Sequence, residues 1–120
     1  MALAGTVLNR RRLGQGVRAE ILITPSGNYV TGGDALDLSA LVGMVGRLPT
    51  YVNIIGKAGF VYQWAGYGPA TNRTAANQKM LVYCNTAGGA NAALGEHTAA
   101  AYAAGVTGDV IVAEVWWEAI

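Results

Sequence analysis

Charge is what this 120-residue chain has least of: Asp, Glu, Lys and Arg make up 12% of it, against about 25% in ordinary globular domains. The formal net charge is +1 and the pI lies near 7.9. That near-neutrality argues against nucleic acid as a main partner, because binding phosphates needs a clear basic excess. Cysteine occurs once, as Cys84, which excludes an internal disulfide framework. Histidine also occurs once, as His97, which leaves little for acid–base or nucleophilic chemistry. No apolar run reaches the roughly 18 residues that a membrane span needs. The opening "MALAGTVLNRRRLG" sets its charges after its short apolar part, the reverse of an export signal, and "QGVRAE" supplies no apolar segment behind a twin-arginine look. The expectation is a cytoplasmic product, or one assembled into a particle.

Hydrophobic residues, in contrast, reach 52%. Much of this is alanine, which tolerates exposure, but so few charges leave little to keep a monomer's surface soluble. A surface partly covered by partners is expected. The basic residues cluster once, at Arg10-Arg11-Arg12. That run reads either as a clamp on an acidic protein surface or as a solvated turn between strands.

Several segments alternate with the period of a strand. In "VRAEILIT", Val17, Ala19, Ile21 and Ile23 share one face, and Pro25-Ser26-Gly27-Asn28 then signals a turn. "TYVNIIGKAGFVYQWAG" predicts two strands joined as a hairpin at Gly56-Lys57-Ala58-Gly59, with Phe60, Tyr62 and Trp64 on one face as core or inter-subunit packing. "QKMLVYC" predicts another strand, whose alternation places Cys84 with Met80 and Val82 among core side chains as an inert thiol. The last strand, "DVIVAEVWWEA", turns Ile111, Ala113, Val115 and Trp117 inward. Its opposite face is half apolar, so cover on both sides is expected.

Helix signals are few. "DLSALVG" predicts one or two turns with Asp37 as N-cap and Gly43 as stop. The stretch from Ala92 to Ala104 reads as a long Ala/Gly-rich loop holding a short helix. With 17 glycines mostly between the strands, residues 1–120 predict a single all-β domain, an antiparallel β-sandwich or barrel with one short helix.

The chemistry-bearing patterns are weak. Gly14-Gln15-Gly16 precedes a strand and Gly66-Tyr67-Gly68 runs into Pro69. Neither opens a helix whose free N–H groups would hold phosphate. Asp34 and Asp37 lack a further acidic residue at calcium-loop spacing, and His97 beside Glu96 is an isolated pair. No catalytic residue, metal or cofactor is expected. Asn72-Arg73-Thr74 matches a glycosylation acceptor, which matters only in a secreted eukaryotic protein.

"NYVTGGDALDL", residues 28–38, is the most distinctive stretch. It reads as a structural turn in which Gly32 and Gly33 supply backbone freedom, while Tyr29, Leu36 and Leu38 anchor either side in the core. Its pattern, aromatic-x-Thr-Gly-Gly-x-x-Leu at Tyr29, Thr31, Gly32, Gly33 and Leu36, with Leu38 and Leu41 following, resembles that of small virion proteins of tailed bacteriophages. The arginine-bearing strand before it and "DVIVAEVWW" at the end fit the same pattern. Residues 66–108 match nothing in it, and Val30 stands where such proteins often carry proline.

The resemblance implies a capsid decoration or cement protein on the outer surface of the virion head, assembled in the host cytoplasm. It implies a homotrimer, bound to the major capsid protein and bridging its subunits so that the shell resists the pressure of packaged DNA, with no nucleic-acid or membrane partner. Because aromatic and arginine side chains dominate interface energetics, the interface residues expected are Arg10, Arg11 and Arg12, facing acidic capsid surface, and Trp116 and Trp117, packing between subunits. At least one of the adjacent tryptophans must leave the core face and need cover. Two alternatives remain open. One is a tail-tube or head–tail joining component using segment 86–108; the other is a small carbohydrate-binding β-module stacking sugars on Tyr62, Trp64 and Tyr67.

Overall fold

In the computed structural model, the described residues are 3–14, 16–44, 47–65, 78–85 and 93–118. Gln15, Gly66-Tyr67-Gly68, Asn72-Arg73-Thr74 and the part of the Ala-rich segment at 86–92 lie outside them. The elements run β1 (Leu3–Leu13), β2 (Gly16–Pro25), β3 (Asp34–Ala35), α1 (Leu38–Leu41), β4 (Tyr51–Ile55), β5 (Val61–Ala65), β6 (Lys79–Cys84), β7 (Gly95–Glu96), α2 (Ala104–Thr107) and β8 (Ile111–Trp117). They form two antiparallel sheets, ordered β1-β2-β8-β4 and β3-β6-β5, with β7 also paired to β6. The fold is an all-β sandwich.

Sequence alternation dictates the core. Val17, Ala19, Ile21 and Ile23 of β2 and Ile111, Ala113, Val115 and Trp117 of β8 are all buried, and their registered pairing places them on one face. Met80 and Val82 meet them from the second sheet, with Tyr62 beside them and Phe60 and Trp64 packed at the margin. Each such fully buried large side chain contributes roughly 1.5–3 kcal/mol by leaving water. Cys84 is only half-buried, at the end of β6.

The segment read as a β4–β5 hairpin has a different geometry. β4 pairs with β8 and β5 pairs with β6, so residues 56–59 carry the chain from one sheet to the other. Local periodicity located both strands, but an alternating pattern does not say which strand is the neighbour. Asp109 fixes this corner: its Oδ1 accepts from Lys57 N–H (2.7 Å), Ala58 N–H (3.1 Å) and Val110 N–H (2.8 Å). Its Oδ2 accepts from the hydroxyl of Tyr62 at 2.7 Å.

The Thr-Gly-Gly stretch is a turn, as its glycines predict. Gly32 and Gly33 have φ of +90° and +100°, and Gly33 N–H donates to Val30 O at 2.9 Å. Tyr29, Leu36 and Leu38 are buried on either side of it. Asp37 caps α1 through Ala40 N–H (3.1 Å), and Gly43 follows the helix at φ +77°.

Candidate protein-interaction site

Cross-strand partners lie on the same face of a sheet, so the register of the first sheet places each expected interface residue. Arg11 pairs with Arg18, Arg18 with Trp116, and Trp116 with Tyr51, forming one row across all four strands on the outer face. The next row is Asn9, Glu20, Glu114 and Asn53; the third is Thr6, Leu22, Val112 and Ile55. Arg18 reaches both Glu20 (4.0 Å) and Glu114 (3.8 Å), partly exposed pairs of a kind that stabilises little. Tyr51 and Ile55 are 56% and 54% exposed. The face is therefore mixed in charge and edged by aromatic and aliphatic surface.

The two tryptophans separate as strand alternation requires. Trp116 stands on the outer face, half-buried, its ring over Gly16, where an added Cβ would lie 3.1 Å from it. Trp117, expected at an interface, is instead a core residue at 1% exposure. Its indole N–H donates to Arg47 O (3.2 Å), with Ser39 Oγ at 3.4 Å. It offers nothing to a partner of the folded chain.

The arginine run is not a turn. Arg10, Arg11 and Arg12 lie inside β1, all exposed, and the same alternation divides them. Arg11 points to the outer face, while Arg10 and Arg12 pair with Ala19 and Val17 and so lie on the inner one. There Ala19 and Val17 are buried but the arginines are exposed; among the described residues the core reaches Leu3 of β1 but leaves Thr6 to Arg12 exposed. Two shallow notches flank the hairpin, one lined by Arg10, Arg12 and Val17, the other by Asn9, Arg11, Arg18 and Glu20. From Thr6 to Arg12 every β1 residue is exposed, and among the described residues its second edge pairs with nothing. Leu8 is an extra residue between the Val7–Ile21 and Asn9–Glu20 pairs, a β-bulge.

The residues weighed for chemistry have structural partners. Glu96 Oε2 accepts from Tyr29 Oη and from Gly32 N–H, both at 2.6 Å, so the amide of the Gly-Gly turn binds the chain's own carboxylate. Asp34 accepts from the Tyr102 hydroxyl. His97 is buried against Tyr29 and Tyr102, with ring centroids at 5.2 and 5.5 Å. Its Nδ1 faces Thr98 O (2.7 Å) and its Nε2 accepts from Ala103 N–H (3.1 Å). A carbonyl oxygen only accepts, so the proton sits on Nδ1. Burial, then the hydrogen bond to a carboxylate, pushes the hydroxyls of Tyr29, Tyr62 and Tyr102 far above the usual tyrosine range. Among the described residues no three His, Cys, Asp or Glu side chains converge as a metal site. Of the sugar-stacking candidates, Tyr62 is buried, Trp64 packs against the core, and Tyr67 lies outside the described residues.

Strand alternation sets Arg18 opposite the core face of β2, as found, but sequence reasoning did not single out Arg18, Tyr51 or Ile55 as interface residues. Arg18 lies in the polar phase of β2, but both phases of β4 are largely apolar, so only the register of neighbouring strands places Tyr51 and Ile55 on the outer face. Compared with protein-family models, curated proteins and solved structures, the chain finds no match.

Proposed function

We propose that this chain is a capsid decoration or cement protein of a tailed bacteriophage, a non-catalytic homo-oligomer that binds the outer surface of the head and bridges major capsid subunits. The observation that carries the proposal is the β1 strand, exposed from Thr6 to Arg12 and presenting Arg10, Arg11 and Arg12 on two faces. A bridging protein needs contacts directed to more than one neighbour, and such a strand offers them. The outer-face row of Arg11, Arg18, Trp116 and Tyr51 supplies the arginine and aromatic content typical of interface centres. The resemblance of residues 28–38 to phage virion proteins supports the same assignment.

Bridging stabilises a shell by binding free energy alone, since each copy holds two capsid subunits at a fixed separation. The test is to mix purified protein with empty expanded heads. Saturable binding at an icosahedral stoichiometry, weakened by R10E/R12E, is the expected result. Failure to bind heads, with assembly of the protein alone into rings or tubes, overturns the proposal in favour of a tail component.

A further inference from the structure

We propose that the free edge of β1 is a docking site for an extended acidic segment of a partner protein, which adds to the first sheet as a fifth strand. β1 is 11 residues long, about twice the usual strand length, and pairs on one side only among the described residues. An edge strand offers a row of backbone donors and acceptors to any chain that can lie beside it. On most edges one side-chain face is sealed against a core. Here both are exposed from Thr6 to Arg12, so among the described residues none obstructs an added strand on either side.

The side chains select the occupant. A strand beside residues 10–12 places its own side chains opposite three guanidinium groups, two on the inner face and one on the outer. Carboxylates there form favourable cross-strand pairs, whereas basic residues repel. The edge also discriminates against a second copy of this chain. An antiparallel copy shifted toward the residue 10–12 end sets arginine against arginine. The fully overlapped antiparallel register spares the arginines, which fall opposite Thr6, Gly5 and Ala4, but there Leu8 meets Leu8 and the two bulges break both ladders at one point. A parallel copy in register stacks each arginine on its equivalent. Arginines and a bulge that block self-pairing leave an acidic strand as the matching partner. The inference deepens the capsid proposal by stating how a partner is held, and it rests on that proposal only for which protein supplies the strand.

The experiment uses the isotope-labelled full chain and a short peptide alternating glutamate with threonine. Two controls are the same peptide with glutamine for glutamate, and one N-methylated on alternate amides to prevent strand pairing. The expected result is slowed amide exchange and shifted resonances within residues 6–12 on adding the acidic peptide. Affinity should fall about tenfold with the glutamine peptide, or with R10Q/R12Q, and further with the N-methylated one. These arginines are exposed, so the variant keeps its fold, which its unchanged remaining spectrum verifies. Equal binding of the N-methylated peptide overturns strand addition, and equal binding of the glutamine peptide overturns the acidic preference. No slowed exchange in β1, while the protein still binds heads, overturns this inference and leaves the capsid proposal standing.

Discussion

The hydroxyl of Tyr62 donates to Asp109 at 2.7 Å and joins the two sheets at the point where the chain passes between them. Asp109 also accepts three backbone N–H groups, from Lys57, Ala58 and Val110. Burial works against its charge, but these donors outweigh it and hold the carboxyl below its usual value of 3.8. Replacing Asp109 with alanine leaves the corner without its acceptor and is expected to cost about 1–3 kcal/mol. Tyr62→Phe loses one bond and costs about 1 kcal/mol. Urea unfolding of the two variants checks both values.

The same carboxylate gives an acid limb. Its folded pKa lies below its unfolded one, so its contribution is complete above the unfolded value and is lost as pH falls through the folded one. Wild-type stability should therefore fall below about pH 4 more steeply than that of Asp109→Asn, which has no such group to protonate. Denaturant midpoints measured from pH 6 down to 2 would refute this if the two slopes match.

Alkaline behaviour rests on Tyr29, Tyr62 and Tyr102, whose hydroxyls burial and carboxylate hydrogen bonds push far above the usual tyrosine range. A raised folded pKa contributes stability that is complete below the unfolded value and is lost as pH rises toward the folded one. Ultraviolet titration checks this. These three should ionise only together with unfolding, seen as simultaneous loss of near-ultraviolet dichroism. Ionisation of all tyrosines without that loss contradicts the burial.

Gly32 and Gly33 share a left-handed backbone but differ in surroundings. A Cβ on Gly33 would sit 2.9 Å from Met80 O, while one on Gly32 meets nothing within 4 Å. Gly32→Ala therefore carries backbone strain alone, about 1–2 kcal/mol. Gly33→Val adds a backbone clash and should cost more than 2 kcal/mol. Equal melting temperatures for the two variants would contradict the contact with β6.

Trp116 and Trp117 should divide stability from binding. Trp117→Ala opens a core cavity and removes two indole contacts, at a cost of about 3–5 kcal/mol. Trp116→Ala, on the outer face, should cost about 1 kcal/mol or less and instead weaken binding to heads. Paired melting and head-binding assays separate the two effects.

What the sequence made legible was whatever one face of burial imposes. β2, β6 and β8 alternate because the core covers one side of each, and the Asp37 cap and the Gly43 stop act through neighbours in the chain. β1 was hidden for the opposite reason: exposed on both faces from Thr6 to Arg12, it has no burial period there to read, so its arginines resembled a turn. β3 and β7 are two residues each, too short to show any period. The corner at Asp109 depends on partners more than 45 residues away in sequence, which no local pattern contains. At the candidate interface, the arginines and Trp116 stood out by residue type, while the division between faces emerged only from register.

The extra residue at position 8 carries a consequence for solubility. Because Val7 and Asn9 already pair with adjacent residues of β2, deleting Leu8 would leave every rung of the hairpin in place. The exposed edge would then run without interruption, and copies could template one another in the register that spares the arginines. A chain shorter by this one residue should fold as before yet precipitate on concentration, so that Leu8 serves the molecule in the crowd rather than in isolation.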